Sequence, residues 1–476
     1  MISKLIQNMK KKNILILGDV LLDRFIYCKT DRISSETTIP VFQFDFEKYV
    51  VGGAGNVAVN ISAGGQNAYI CSIIGDDSDG KIMIDYLRNY GVNTDYLVID
   101  KIIKNTVKTR FLNNLNQQVF RFDTESKKKL SDVTENNIIV KIEKNIDSFD
   151  GIILSDYSYN FLSEYIAKTI IKIAQNHDIP ILVDIRNDKP EKYSFATYIK
   201  PNIKDLESIL DIKIQSREQL QQASQSLCAM LHSKYVITTC GSDGIILVDQ
   251  KNVLADEPSC KIDVADVTGA GDTVCAYFMI GLTCGLTPME AMKMANIAAG
   301  IKVQKVGTQP VAFNELIESN KDGKIISVDD LKIILPALKG KKIVFTCGCF
   351  DLMHVGHLRY LIAAKQMGDV LIIGLNSDSS VRKIKGANRP INSQALRAEF
   401  LSDLGFVDYI VIFDEPTSDR LIEIISPQVF VKGGDYLPDQ IPEAITAKKV
   451  GAVVKVMDCG ADISTSKLIK AVTTND

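Results

Sequence analysis

Short runs of apolar, β-branched residues alternate along the chain with longer segments whose apolar residues recur every three or four positions. The short runs predict buried strands and the longer segments predict amphipathic helices. This alternation predicts an α/β fold with a largely parallel sheet. In the longer, first part of the chain the predicted strands are Asn13–Leu17, Gly151–Leu154, Ile181–Asp184, Tyr235–Thr239 and Ile245–Val248, and the helices include Ser163–Gln175 and Arg217–Leu231.

The stretch from Phe42 to Phe122 has a different pattern. Its apolar segments are shorter and alternate with polar residues, which is typical of strands that have one solvated face. We therefore expect a small antiparallel β lid beside the main sheet.

The strand–helix alternation is interrupted between Val311 and Gly340 and then begins again at Lys342–Thr346. We predict a larger unit over residues 1–318, a linker over 319–341 and a smaller α/β unit over 342–476. The later predicted strands are Val370–Gly374, Tyr409–Phe413, Val429–Lys432 and Ala452–Val456, and the helices lie near Val355–Gln366, Ser393–Leu404, Thr417–Ile425 and Ser466–Val472.

Composition narrows the possible functions mainly by exclusion. The 476 residues carry 55 Lys and Arg against 58 Asp and Glu, a net charge of −3, so a nucleic-acid partner is not expected. No apolar run has the length of a membrane span, and the ten scattered cysteines are typical of reduced thiols. Cys347 and Cys349 have no second pair at metal-ligand spacing, so we expect packing rather than a metal site. These features predict a cytoplasmic protein without a membrane partner.

The first candidate site is the glycine-rich run Asp266–Asp272, which precedes the helical segment Thr273–Cys284. Gly269 and Gly271 allow successive backbone amides to converge at a helix N-terminus, where they can hold a phosphate. Asp272 is then placed to take a proton from an attacking hydroxyl. The structural alternative is that Asp272 is only a helix cap.

A second glycine-rich run, Gly52–Asn56, supports the functional interpretation. Glycines let the backbone approach a polyhydroxylated ligand, and the Asn56 amide offers both donors and an acceptor. Asp19 follows the first predicted strand, where α/β proteins place ligands, and its carboxylate could accept hydrogen bonds from sugar hydroxyls. The alternative for Asp19 is a simple turn after a strand.

Together these segments resemble the ribokinase-type carbohydrate kinases, the PfkB family, over roughly residues 10 to 316. The resemblance implies a ribokinase-like three-layer domain with a β lid, which uses ATP accompanied by Mg²⁺ and has no resident metal of its own. It implies Asp272 as the catalytic base and the loop Gly269, Ala270 and Gly271 as the anion hole. It also implies a homodimer formed through the lid. The segments that carry the resemblance are Gly18–Asp19, Gly52–Asn56, Gly75–Asp77, Lys200–Asn202, Thr239–Gly244 and Gly269–Asp272.

The same resemblance assigns the remaining site residues of the first unit by position. The residues expected to contact ATP are Asn202, Ile203, Lys204, Asp205, Gly241 and Gly244. The residues expected to contact the sugar are Asp19, Gly52, Gly53, Asn56, Arg110 and Asp184.

In the second unit, the run Thr346–His357 leads from a strand into a helix. His354 and His357 are three residues apart and project to the same side of the first helical turn. Two imidazoles and free amides at a helix N-terminus suit an α-phosphate that gains charge as pyrophosphate leaves. A zinc site is the weaker alternative because no third ligand stands nearby.

This run resembles the H-x-G-H nucleotidyltransferases of the cytidylyltransferase-like superfamily, a smaller Rossmann-like fold. The resemblance implies His354 and His357 as catalytic residues and an adenylyl transfer from ATP. The residues expected to contact ATP are Thr346, Phe350, Lys385, Arg389, Ser464, Thr465 and Ser466, and those expected at the sugar phosphate are Lys432 and Asp435.

The order of the two units is similar to that of the bifunctional heptose kinases and adenylyltransferases. These enzymes synthesise ADP-heptose, a precursor of the lipopolysaccharide core. That resemblance implies phosphorylation of D-glycero-D-manno-heptose 7-phosphate at the anomeric hydroxyl. It then implies adenylyl transfer from ATP to heptose 1-phosphate, with pyrophosphate as the second product.

The kinase half departs from the family pattern in three segments, 32–38, 155–160 and 183–186. The second of these lacks the usual lysine, for which Arg110 or Arg186 could substitute. Three interpretations therefore stay open at the level of sequence. The chain is the bifunctional heptose enzyme, an enzyme of the same design that acts on another phosphosugar, or a nucleotidyltransferase with a non-catalytic, sugar-phosphate-binding kinase-like module.

Overall fold

The computed structural model describes residues 11–125, 129–159, 161–186, 189–259, 263–319, 324–434 and 441–457. These residues form two compact units that divide between Leu316 and Ile317. Each unit is described by itself.

The centre of the first unit is a sheet to which the described residues contribute eight strands. Their bounds are β1 (Asn13–Gly18), β4 (Asn67–Cys71), β9 (Gly151–Ser155), β10 (Ile181–Asp184), β11 (Tyr198–Lys200), β12 (Tyr235–Thr239), β13 (Ile245–Val248) and β14 (Val253–Glu257). The order is β14-β13-β12-β11-β10-β9-β1-β4. Pairing is parallel from β4 to β12 and antiparallel for β13 and β14, which confirms the predicted, largely parallel sheet.

Helices cover this sheet, and its central strands are buried on both faces. Ile14, Ile152 and Val183 have no exposed surface, which explains why these strands read as continuous apolar runs. The helices of the unit are α1 (Ala54–Ala63), α2 (Ser78–Asn89), α3 (Asp132–Lys144), α4 (Glu164–Asn176), α5 (Ile203–Leu210), α6 (Arg217–Met230), α7 (Ala270–Thr283), α8 (Pro288–Val303) and, at the boundary, α9 (Phe313–Ser319).

A β lid is present, but its extent and pairing differ from the prediction. It consists of β2 (Val20–Ile33), β3 (Pro40–Gly53), β7 (Val107–Leu112) and β8 (Gln118–Thr124) in the order β3-β2-β7-β8. The lid begins before Phe42, and β2 pairs with β7 in parallel, so it is not purely antiparallel. The chain returns from β3 to β7 through two helices and β4, and this long connection brings β7 back in the direction of β2. The short strands β5 (Ile73–Gly75) and β6 (Val98–Asp100) pair separately.

The second unit is a smaller parallel sheet with helices. Among its described residues, six strands follow the order β15-β18-β17-β16-β19-β20, and all their pairs are parallel. The strands are β15 (Ile325–Ile326), β16 (Ile343–Gly348), β17 (Val370–Asn376), β18 (Tyr409–Phe413), β19 (Val429–Gly433) and β20 (Val453–Met457). The helices are α10 (Val328–Ile334), α11 (Val355–Lys365), α12 (Asp378–Lys385), α13 (Gln394–Ser402), α14 (Asp419–Ile425) and α15 (Ala444–Lys449).

The segment 319–341, predicted as a linker, contributes structure to the second unit. Ile325 pairs with Ile410 of β18, and the Lys324 ammonium donates to the Ser402 carbonyl at 2.9 Å. The predicted helix Ser466–Val472 lies outside the described residues.

Candidate active sites

The helix α7 begins in the glycine loop that the sequence singled out. Gly269 precedes the helix with φ 81°, in the left-handed region that glycine adopts without strain. A Cβ at this position would lie 2.7 Å from Asn56 Nδ2, so the close approach of the two segments also requires glycine. Asp272 stands in the first turn, where backbone amides have no partner within the helix.

Two side chains from distant parts of the chain hold the Asp272 carboxylate. Asn56 Nδ2 donates to Oδ2 at 2.6 Å, and the Tyr157 hydroxyl donates to Oδ1 at 2.7 Å. Asp272 is only 5% exposed. Burial, with the charge of Asp184, raises its pKa to about 6, although both hydrogen bonds oppose the shift. A carboxyl group with this pKa is ionised at neutral pH and is still a useful base.

Basic side chains lie beside the glycine loop. Lys200 Nζ is 2.8 Å from Asp184 Oδ1, and both residues are buried. Burial opposes the charge of Lys200, but the pairing with Asp184 outweighs it and the net pKa is raised. A Cβ on Gly271 would lie 3.6 Å from Lys200 Nζ, so this ammonium is next to the loop. The Arg186 guanidinium lies 4.7 Å from the centre of the Tyr157 ring. The cluster therefore combines a base, free helix amides and two cations.

Asp19, predicted to bind sugar hydroxyls, has its carboxylate engaged by the backbone of the segment 157–161. The Tyr157 and Tyr159 amides donate to Oδ2 at 2.9 and 3.2 Å, and the Phe161 amide donates to Oδ1 at 3.2 Å. Burial, with the charge of Asp156, raises the pKa of Asp19 to about 6. Asp19 thus anchors the segment that departs from the family pattern.

The predicted sugar residues at the lid lie close to Asp19 and Asp23. A Cβ on Gly53 would lie 2.4 Å from the Asp19 carbonyl oxygen, and one on Gly52 would lie 2.9 Å from Asp23 Oδ2. Arg110 forms an ion pair with Asp23. Arg110 is therefore not brought to the Asp272 cluster by any contact described for it.

The predicted nucleotide segments lie side by side at the ends of β11 and β12. Asn202 caps α5 and exchanges two hydrogen bonds with Asp205, while Ile203 and Lys204 form the first turn. Asn202 also forms a bridge with Thr239 at the end of β12, and the turn with Gly241 and Gly244 follows directly. Asp205 Oδ2 lies 3.9 Å from the Arg186 guanidinium, which connects this edge to the Asp272 cluster.

In the second unit, the histidine pair lies at the start of α11. His354 precedes the helix and His357 is in its first turn, with ring centres 4.0 Å apart. The His354 amide donates to His357 Nδ1 at 3.4 Å, which leaves the proton of a neutral His357 on Nε2. Burial and the charges of His354 and Lys385 lower the pKa of His357 to about 4, and burial lowers that of His354. Both rings are therefore neutral at pH 7. Phe350, with its ring 5.9 Å from that of His357, lies on the preceding loop.

Two buried groups hold that loop at the carboxyl end of β16. Asp351 accepts from the Ile391 amide at 2.8 Å and pairs with Arg389 Nε at 3.0 Å. Arg397, which is 2% exposed, donates to the carbonyls of Cys349 and Asn376 and pairs with Asp378 at 2.8 Å. Arg397 thus joins the loop after β16 to the end of β17.

Lys432 of β19 is also paired. Its ammonium donates to Glu443 Oε1 at 2.8 Å and lies 3.3 Å from Cys347 Sγ. Several buried polar atoms near these residues have no partner within the described part of the chain, as expected of a site that accepts a polar ligand. They are Thr346 Oγ1, His354 Nδ1, Arg389 Nη1 and Glu443 Oε2.

The other predicted residues of the second unit are placed less fully. Lys385 is the exposed last residue of α12. Asp435, Ser464, Thr465 and Ser466 lie outside the described residues.

Sequence reasoning missed three residues that these contacts identify. Lys200 stands in a segment that carries the family resemblance and Tyr157 in one that departs from it, but nothing local indicated their contacts with Asp184 and Asp272. Arg397 is one of many arginines in the sequence, and only its burial distinguishes it.

Comparison with known proteins identifies the family. Residues 11–314 match the pfkB family of carbohydrate kinases, and residues 345–471 match the cytidylyltransferase-like family. The chain is 39% identical over 470 residues to the bifunctional protein HldE of Campylobacter curvus, which covers 97% of this chain and 98% of the relative. It is 38% identical to HldE of Geotalea uraniireducens, with 97% and 95% covered. The chain belongs to the HldE family.

HldE proteins combine a heptose kinase with an adenylyltransferase, so the predicted bifunctional enzyme of ADP-heptose synthesis, its two transferase activities and its use of ATP are confirmed. The HldE kinase unit also has the expected fold. Arabidopsis thaliana ribokinase complexed with ribose and ATP matches 65% of this chain and 99% of its own with a TM-score of 0.53 at 19% identity. Phosphofructokinase-2 of Escherichia coli in complex with potassium matches 65% and 97% with a TM-score of 0.54 at 18% identity.

A search of the described residues finds no helix that is both long enough and apolar enough to cross a membrane.

Replacement of Arg397 by Met is expected to destabilise the second unit by about 3 kcal/mol, because it leaves buried carbonyls and Asp378 without their partner. Calorimetry of the full chain should show one transition lowered by about 10 °C. Adenylyl transfer should fall while phosphorylation persists. The control Arg420→Met removes an exposed ion pair with Glu415 and should change stability by less than about 0.5 kcal/mol. Equal midpoints for the two variants would contradict the role given to Arg397.

Proposed function

We propose that Asp272 is the catalytic base in the phosphorylation of D-glycero-D-manno-heptose 7-phosphate by the first unit. Asp272 accepts the proton of the anomeric hydroxyl, whose oxygen bonds to the γ-phosphorus of ATP. The bond from that phosphorus to the bridging oxygen breaks, and ADP leaves. The observation that carries this assignment is a buried carboxylate, held by two donors, in the first turn of a helix that begins with the loop Gly269, Ala270 and Gly271. The loop amides would stabilise the charge of the transferred group.

The substrates would meet at the carboxyl ends of the central strands. We assign the sugar to the side of Asp19, Gly52, Gly53 and Asn56, and ATP to the side of Asn202–Asp205 and the turn that contains Gly241 and Gly244. Asp184 would act by holding Lys200 beside the loop. Arg110, paired with Asp23, would reach the sugar 7-phosphate only by exchanging that partner.

Mg²⁺ would enter with ATP. Within the described residues no cluster of three potential ligands is present, and Asp184 and Asp205 are engaged by Lys200 and by the Asn202 cap. This donor set suits an ion that is held mainly by phosphate oxygens and water. Its chemistry would be to neutralise the phosphate charge.

In the second unit we propose that His354 and His357 stabilise the α-phosphate of a second ATP while heptose 1-phosphate attacks it. The new bond joins the sugar phosphate oxygen to the α-phosphorus, and pyrophosphate leaves. A neutral His357 that carries its proton on Nε2 is a hydrogen-bond donor toward this group. Thr346 lies near the end of β16, Phe350 lies on the loop that follows it, and Arg389 pairs with Asp351 of that loop. Lys432 lies near the end of the neighbouring strand β19. Roles for Lys385, Asp435, Ser464, Thr465 and Ser466 rest on the resemblance alone.

The two reactions differ in the sugar they use. The kinase product carries phosphates at positions 1 and 7, whereas the sugar that accepts the adenylyl group carries only the 1-phosphate. A separate phosphatase must therefore remove the 7-phosphate between the two steps. Because both steps consume ATP, we place the enzyme in the cytoplasm.

Replacement of Asp272 by Asn should abolish phosphorylation and spare adenylyl transfer, whereas His354→Ala should have the opposite effect, each by about 100-fold or more. Purified variants are given ATP, Mg²⁺ and each sugar phosphate, and products are identified by mass. A panel of other phosphosugars tests the substrate. Loss of both activities in one variant would contradict two independent sites. If the wild-type protein phosphorylates no sugar, the alternative of a non-catalytic kinase-like module is favoured. The only sequence feature that supports this alternative is the altered segment 155–160.

The two activities should respond differently to acid. Asp272 must be ionised to accept a proton, so its raised pKa predicts that the kinase kcat falls about tenfold per pH unit below about 6. His357, with a pKa near 4, stays neutral over this range, and burial also lowers the pKa of His354, so adenylyl transfer should fall less steeply than phosphorylation between pH 7 and pH 5. The kcat is measured at saturating substrate, so that the acid limb of its pH profile reports the ionisation of Asp272 and not that of the free sugar phosphate. An acid limb of the kinase kcat with its midpoint near pH 4 would show that the environment does not shift the pKa of Asp272.

We also propose that two copies associate through their lids. Phe44 lies on one edge strand of the lid, β3, and Phe120 and Phe122 lie on the other, β8; each of the three is more than half exposed. Exposed aromatic side chains are common at interfaces, and a second copy offers the same side chains and can cover them by two-fold symmetry.

The double variant Phe44→Asp/Phe122→Asp should therefore be monomeric when wild-type protein is dimeric by light scattering. Its matched control is Val140→Asp, which changes an exposed residue of α3 and should remain dimeric. Monomeric wild-type protein at micromolar concentration would contradict the lid dimer.

A further inference from the structure

The Tyr157 hydroxyl donates a hydrogen bond to Oδ1 of Asp272. The distance from the hydroxyl to Oδ1 is 2.7 Å, which is ordinary hydrogen-bond geometry for a hydroxyl donor and a carboxylate. The other oxygen, Oδ2, is taken by Asn56 at 2.6 Å. Tyr157 is thus the only described side chain that donates to Oδ1.

Three further contacts keep Tyr157 in this place. Its amide donates to Asp19 at 2.9 Å, and the amides of Tyr159 and Phe161 bind the same carboxylate. The Arg186 guanidinium lies 4.7 Å from the centre of the Tyr157 ring. A Cβ on Gly53 would lie 3.5 Å from the ring, so the lid strand β3 also packs against it. The hydroxyl is therefore held on Asp272 by the backbone of the segment and by the contacts of the ring with Arg186 and the lid strand.

The Tyr157 phenol is unsuited in this position to act as a general acid or to accept a phosphoryl group. Burial and the charge of Asp272 raise the pKa of Tyr157 well above its ordinary value, so the hydroxyl keeps its proton at neutral pH. It remains a hydrogen-bond donor to an ionised Asp272. A donor that keeps its proton stabilises the base without competing for its chemistry.

We infer that Tyr157 is a positioning residue that orients Asp272 and keeps water away from Oδ1 of the base. This inference rests on the proposed role of Asp272. A kinase that activates hydroxyl groups also activates water unless water is excluded from the base. Hydrolysis would form a bond from the water oxygen to the γ-phosphorus, break the bond to the bridging oxygen and transfer a proton to Asp272. The products would be phosphate and ADP, with no sugar consumed.

Replacement of Tyr157 by Phe removes the hydroxyl and leaves space beside Oδ1 of about the size of a water molecule. Release of ADP from Mg-ATP without sugar should then rise by about tenfold over wild type, because a water at that place can use the base. Phosphorylation of the sugar should persist at a lower rate. Since the expected effect is a gain of hydrolysis, misfolding cannot produce it.

Tyr159→Phe is the matched control. Tyr159 lies in the same segment and also donates its amide to Asp19, but its hydroxyl bonds to Glu125 at 3.2 Å. This variant should hydrolyse ATP at the wild-type rate. Equal hydrolysis by the two variants, or no rise in Tyr157→Phe, would overturn the inference.

One double variant and the single variant Asp272→Asn separate this inference from the proposed function. Asp272→Asn combined with Tyr157→Phe should lose the added hydrolysis, which shows that the water uses this base, and persistence of the hydrolysis would overturn the inference. If Asp272→Asn alone still phosphorylates the sugar, the proposed base is wrong. If that variant is inactive and Tyr157→Phe behaves as Tyr159→Phe, only the role of Tyr157 fails.

Discussion

The central strands of both sheets are buried on both faces, and this constraint decides where polar chemistry can stand. Ile152 and Val183 in the first unit, and Val344 and Ile372 in the second, have no exposed surface. A charged side chain in the middle of such a strand would have neither water nor a partner. Polar residues therefore collect at the carboxyl ends of the strands, where loops and helix N-termini supply partners and substrates can enter.

The buried lysines at these ends are paired with carboxylates, and the pairs shape both sites. Lys200 is held by Asp184, and Lys432 by Glu443. An unpaired ion at such a place would lose its hydration without compensation. In the sites that we propose, phosphate groups would therefore meet a few local cations that a carboxylate already holds in place. Such sites do not require a basic surface, in keeping with the net charge of −3.

Much of the fold follows from local patterns that the sequence displays directly. The predicted strand Ile181–Asp184 has the observed bounds, and the predicted helix Arg217–Leu231 ends one residue late. The lid was less predictable, because the parallel pairing of β2 with β7 depends on how the chain returns through the core. The pattern of apolar and polar residues along β2 or β7 does not indicate which strand each one pairs with.

For the sites, the sequence by itself determined the loops and the reactive groups: the glycines before Asp272, the His354–His357 pair and the family to which they belong. The tertiary structure decided which partner each group has. Asn56 meets Asp272 across 216 positions of sequence, and Asp19 binds the backbone of the segment 157–161. The reason is physical: backbone conformation responds to neighbouring residues, whereas a buried polar side chain bonds to whatever the sheet order brings within about 3 Å of it.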